Sequence, residues 1–133
     1  MGARIWPQPL LVVRDVAASR RFYTGVLDAE SGHGGGEYEQ IVSNDELVLQ
    51  LHRIDVEDHH GPLADPDTPL GNGLLVWFEV GDFDAAVERA RRIGAEVERD
   101  VHVNPNAKQR EIWLRDPDGY RVVLAGPSEY RPR

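Results

Sequence analysis

The chain repeats itself once. Val13-Arg14-Asp15-Val16 returns as Val80-Gly81-Asp82-Phe83, so the two aspartates stand 82 − 15 = 67 residues apart, about half of the 133-residue chain. One offset of half the length points to a duplicated module rather than to a solenoid of many short units. Each aspartate closes an apolar run and opens a helical pattern, the place where a side-chain oxygen caps free backbone amides. The duplication therefore carries the order of its elements with it.

In the second half, Leu74 to Val80 is a short apolar run suited to a buried strand. From Asp82, Phe83, Ala86, Val87, Ala90 and Ile93 recur at helical spacing, and Gly94 supplies the stop. Strands follow over 96–101, 110–115 and 120–125, the last two joined by the turn Asp116-Pro117-Asp118-Gly119. The first half predicts a strand over Leu10–Val13, a helix from Asp15 through Ser19, Phe22 and Tyr23 to Gly25, and strands over 37–42 and 46–51. The glycine-rich stretch Ser31 to Tyr38 lacks both a strand-to-helix transition and a Gly-x-x-x-x-Gly-Lys pattern, so it predicts a flexible turn and not a phosphate loop. The segment from His59 to Gly73 is rich in Pro, Gly and Asp and reads as a linker that can border a pocket. One α+β domain follows over 1–133, with module 1 at about 5–55, the linker at about 56–72 and module 2 at about 73–127.

Composition removes several kinds of chemistry. With no cysteine there is no disulfide, thiolate ligand or cysteine nucleophile. A formal charge of −8 disfavours nucleic acid, whose phosphates reward a basic face. No stretch has the length of a membrane span and the N-terminus lacks the apolar run of a signal peptide, so a cytoplasmic location is the expectation. The Asp116-Pro117-Asp118-Gly119 turn lacks the further oxygen donors and closing glutamate of a calcium loop and is read as structural.

The residues Val13-Arg14-Asp15, Phe22-Tyr23, Leu27 and Ile112 through Tyr120 are those in which the chain resembles the vicinal oxygen chelate superfamily, which includes glyoxalase I, extradiol dioxygenases, fosfomycin-resistance enzymes and bleomycin-resistance proteins. The resemblance covers nearly the whole chain and implies two tandem β-α-β-β-β modules forming a curved mixed-sheet cleft. It also implies a homodimer with two clefts at or near the subunit interface. Metal-dependent members take ligands from the first, fourth, fifth and eighth strands. Those positions fall here on Gln8, Gln50, Leu74 or Leu75, and Val123. Two neutral amides beside two aliphatic groups suit a divalent ion poorly, so no metal and no cofactor is expected at that position.

Other side chains offer chemistry. His52 lies two residues after Gln50 and shares its strand face, so it and Glu111 are the candidates for a base, a binding dyad or a displaced metal pair. Tyr38, Trp77 and Trp113 could stack against a flat ligand, with Trp77 preferred as pocket lining because it shares a face with Leu75. Arg110, in the polar approach to its strand, could orient a carboxylate. His59 and His60 read as solvated linker residues, and His102 as a surface residue.

Two functions are open at this point. The first is a non-catalytic binder that sequesters a small molecule such as a natural product or drug, giving antibiotic resistance, with aromatic walls and few polar anchors. The second is a lyase, isomerase or dioxygenase of the same superfamily, with or without metal. Fold alone does not choose between them.

Overall fold

In a computed structural model the chain is described over residues 3–4, 6–57 and 60–128. Module 1 runs β1 (Leu10–Val13), α1 (Val16–Leu27), β2 (Glu30–Gly34), β3 (Tyr38–Ser43) and β4 (Glu46–Arg53). Module 2 runs β5 (Leu75–Glu79), α2 (Phe83–Arg92), β6 (Glu96–Asn104), β7 (Gln109–Arg115) and β8 (Arg121–Ala125). Each module forms a four-stranded mixed sheet, in the orders β1-β4-β3-β2 and β5-β8-β7-β6, with a parallel pair at one edge. The fold class is therefore the expected α+β duplication.

Both helices start where the sequence places their caps. The Asp15 carboxylate accepts from the Ala18 amide at 3.1 Å, and the Asp82 carboxylate accepts from the Ala85 amide at 3.1 Å. Gly94, with φ 72°, ends the last turn of α2 as expected. Helix α1 runs past Gly25 to Leu27 and is stopped by Asp28 in a left-handed conformation. Gly25 is instead a close-approach point, since a Cβ there would lie 3.3 Å from Cγ2 of Ile93. That contact explains why Ile93, expected to be core, is 45% exposed: it caps α2 and leans on α1 instead of facing the sheet.

The glycine-rich segment departs from the expectation of a flexible turn. Residues Glu30–Gly34 form β2, antiparallel to β3 through Glu30↔Val42, Ser31↔Ile41 and Gly34↔Glu39, with a register shift before Gly34. Every residue of β2 is exposed, so pairing to β3 and not burial makes it a strand.

One face of each sheet is covered by helices. Leu11, Val13, Ile41, Leu49 and Leu51 of the first sheet join Val76, Ile112, Leu114, Val122 and Leu124 of the second in one core with Val16, Tyr23 and Val26 of α1 and Phe83, Ala86 and Ala90 of α2. Strand alternation turns the other face of each sheet away from this core.

The Asp116-Pro117-Asp118-Gly119 turn clasps the modules together. Tyr23 donates its hydroxyl to Asp116 at 2.6 Å, and the Asp118 and Tyr120 amides donate to the same carboxylate at 2.9 Å each. Asp118 in turn accepts from the Arg14 amide at 3.0 Å, and Tyr120 donates its hydroxyl to the Val12 carbonyl at 2.8 Å. Burial pushes the Asp116 carboxyl above the ordinary aspartate range, while the Tyr23 hydroxyl and the two amides pull it partway back. The Tyr23 phenol lies well above its ordinary value, first through burial and then through the Asp116 charge.

Candidate functional site

The faces turned from the core hold the candidate residues, and strand register sets them out in rows. In module 1, Val12 lies beside His52 and His52 beside Tyr38, while Leu10, Gln50 and Gln40 form the next row. Tyr38 donates its hydroxyl to Oε1 of Gln50 at 2.6 Å and accepts from Nε2 of Gln40 at 3.3 Å. The Gln50 amide donates to the Gln8 carbonyl at 3.0 Å, so it is the backbone of Gln8, and not its side chain, that meets Gln50. His52 faces Tyr38 edge-on at 6.4 Å between ring centres and meets His60 at 4.9 Å. His60, expected to be a solvated linker residue, is thus folded back onto β4. His59 lies outside the described residues.

In module 2, Trp77, Val123 and Trp113 form one row, Glu79, Ala125 and Glu111 a second, and Leu75, Arg121 and Arg115 a third. Glu111 is only 1% exposed and accepts from two donors, the Asn104 amide at 2.7 Å and the Trp113 indole N–H at 3.0 Å, while Nε2 of His102 lies 3.3 Å from it. A buried carboxylate needs such partners, because desolvation without them is costly. His102 is therefore no surface residue: β6 continues to Asn104 and turns this ring onto Glu111. Leu75 and Trp77 are 43% and 42% exposed and form an apolar shelf beside this network.

A cavity of about 500 Å³ opens at one end of the shelf, lined by Leu70 to Leu75 with Arg115 and Arg121. Glu98 holds both guanidiniums, at 2.7 Å from Arg115 and 3.2 Å from Arg121, leaving an excess of one positive charge among the three groups. These arginines were missed in the sequence because only the strand register lines up Leu75, Arg121 and Arg115 in one row across β5, β8 and β7.

Arg110 falls elsewhere. Strand β7 begins at Gln109, so alternation places Arg110 on the helix side, where it pairs with Asp84 at 2.9 Å and lies over the Phe83 ring at 4.6 Å. It braces the start of α2 and does not reach the open face. The dyad of His52 with Glu111 also does not form within one chain. No hydrogen bond, ion pair or ring contact links Tyr38, Gln50 or His52 to Trp77, Glu111 or Trp113. Of the positions onto which the resemblance maps metal ligands, Gln50 has both ends of its amide engaged, while Leu75 and the fully buried Val123 offer only aliphatic carbons.

Known proteins share this architecture. The family model described as Glyoxalase/Bleomycin resistance protein/Dioxygenase superfamily matches residues 6–124. A glyoxalase/bleomycin resistance protein/dioxygenase from Nocardioides superposes with a TM-score of 0.74 at 22% identity, covering 98% of this chain and 88% of that one. A protein of unknown function from Agrobacterium tumefaciens str. C58 gives 0.75 at 22% identity, with 96% of each chain covered. A lactoylglutathione lyase from Agrobacterium tumefaciens gives 0.70 at 20% identity, with 95% of each covered. At these identities the superpositions speak for the fold. No curated protein matches the chain. The family match spans nearly all of the duplicated structure, and the chain belongs to the glyoxalase/bleomycin resistance protein/dioxygenase superfamily.

Proposed function

We propose that the chain is a small-molecule-binding protein of the glyoxalase/bleomycin-resistance type, with the superfamily's usual metal position degenerate, that sequesters a natural product or drug in a homodimeric cleft. The observation that carries this reading is the exposed shelf of Leu74, Leu75 and Trp77 beside a buried Glu111 hydrogen-bonded through both oxygens. Such a shelf offers area to a flat apolar ligand, and the Arg115–Glu98–Arg121 group offers donors to an oxygen-bearing substituent at its end.

Glu111 supports binding over acid–base catalysis. Two donors, one on each oxygen, hold it as a fixed acceptor that orients Trp113 and Asn104, which favours a structural role for this carboxylate over proton transfer. The aliphatic ends of Leu75 and Val123 supply no electrons to a metal at the position used elsewhere in the superfamily.

The dimer completes the cleft. Each chain presents the open face of module 1 and that of module 2 away from its common core, with Leu10, Leu75 and Trp77 all at least 39% exposed. A second copy can cover both, setting the first module of one chain against the second module of the other. Light scattering on a sizing column should give twice the chain mass. Titration with planar aromatic compounds, bleomycin among them, should change tryptophan fluorescence saturably. A monomer whose fluorescence responds to none of them would overturn the reading.

A further inference from the structure

Polar side chains cross the open face of module 1 in a relay whose hydrogen bonds run in one direction only. It starts at the Gln8 carbonyl, 3.0 Å from the Gln50 amide. A carbonyl oxygen only accepts, so the Gln50 atom facing it is the nitrogen and the atom facing away is Oε1. That oxygen also only accepts, so the Tyr38 hydroxyl at 2.6 Å spends its one proton on it. With its proton committed, the hydroxyl meets Gln40 only as an acceptor, which fixes the Gln40 atom 3.3 Å away as Nε2. Each link follows from the one before, and the relay ends with Oε1 of Gln40 turned away from Tyr38.

This last oxygen lies beside a notch. Gly32, on the exposed strand β2, is close to Gln40, and its backbone has no positive φ that would call for glycine. What the glycine supplies is room. A Cβ on Gly32 would lie 2.9 Å from Cγ1 of Val42 and 3.4 Å from Oε1 of Gln40. The space a side chain would fill is thus left to a ligand atom, close to hydrogen-bonding distance from an oxygen to which no described residue donates. Beside the notch, the Tyr38 ring has His33 on one side and His52 on the other, each with its ring centre 6.4 Å away, so a flat body has rings to lie against.

We propose that Gln40 is a specificity-determining residue of the ligand cleft, selecting flat aromatic compounds that carry an N–H donor on the ring edge, as in an aromatic amine or a lactam. This rests on the small-molecule-binding reading above and adds the chemistry of the ligand's edge. The N–H donates to Oε1 of Gln40, while Tyr38 holds the Nε2 end of that amide and so decides which end faces the ligand. An edge that offers only acceptors sets its lone pairs against those of Oε1 and loses the contact.

The test is equilibrium dialysis of the full chain against three quinolines with the same substitution pattern, bearing an amino, a methyl or a methoxy group, at a pH where all three are neutral. The wild-type protein should bind the aminoquinoline about three- to tenfold more tightly than either of the others. Gln40→Met should bring the three affinities together while leaving that for the methylquinoline unchanged. Tyr38→Phe, which releases the Gln40 amide to turn over, should shrink the preference for amino over methoxy. A wild-type protein that binds the methoxyquinoline as tightly as the aminoquinoline overturns the proposal without recourse to any variant, and so does a preference that survives Gln40→Met. Either result leaves the binding reading in place, whereas failure to bind any of the three overturns both.

Discussion

Tyr23 and Asp116, 93 residues apart, share a buried hydrogen bond of 2.6 Å that joins the helix of one module to the β7–β8 turn of the other. It is the central contact of the clasp between the two halves. Tyr23→Phe removes the donor and leaves a buried carboxylate oxygen short of a partner, at an expected cost of about 1–3 kcal/mol. Urea denaturation followed by circular dichroism should show a lower midpoint with an unchanged slope.

The same carboxylate makes stability depend on pH in a stated direction. Burial raises the folded pKa of Asp116 above the ordinary aspartate range. Its stabilising contribution is therefore complete below the unfolded value and is lost as pH rises through the folded one. Asp116→Asn can still accept from the Asp118 and Tyr120 amides while carrying no charge. Relative to the wild type, that variant should gain stability as pH rises from about 3.9, the ordinary aspartate value. Equal pH slopes for the two proteins would show that Asp116 titrates alike folded and unfolded.

The β2–β3 connection separates two glycines that look alike in sequence. A Cβ on Gly34 would overlap the Tyr38 carbonyl and sit 2.6 Å from Cα of Glu39, at a φ of 147°. One on Gly36 would meet nothing within 4 Å. Gly34→Ala should cost about 1–3 kcal/mol through backbone strain. Gly36→Ala should change stability by less than about 0.5 kcal/mol. Thermal melts of the two variants side by side check the contrast.

Ligand binding should distinguish the two open faces. An aromatic sulfonate dye pairs a flat apolar body with an anionic group, which suits the Trp77 shelf and the arginines beside it. Trp77→Ala should weaken dye binding by about tenfold or more. His52→Ala should weaken it less, in a fluorescence titration of the native protein. The reverse order would favour chemistry centred on His52.

Much of the fold was legible because its signals are local. Asp15 and Asp82 announce their helices by chemistry that acts over three residues, and the apolar runs before them carry their strands. Strand β2 was not legible: Glu30 to Gly34 bury nothing, and only pairing with β3 orders them. The site divides in the same way. Period-2 alternation placed Gln50 and His52 on one face, as found. Arg110 was read as part of a polar loop approach, whereas it lies inside β7, where the same alternation sets it on the face opposite Glu111, the helix side. His102 and Asn104 escaped notice as partners of Glu111 because register shifts interrupt the β6–β7 ladder between Val97 and His102. His60 escaped because nothing in a Pro- and Gly-rich segment shows which strand it will fold onto.

The duplication has lost its symmetry at the corresponding hairpins. In module 1 the β3–β4 turn is made by Asn44 and Asp45, both left-handed, and its work ends with reversing the chain. In module 2 the equivalent turn became the fastening between halves through Asp116, Asp118 and Tyr120. The first hairpin is accordingly free to drift in sequence or accept inserted residues, provided the reversal survives. The second can do neither without prising the two halves apart, so tolerance to change is itself unequally inherited by the two copies.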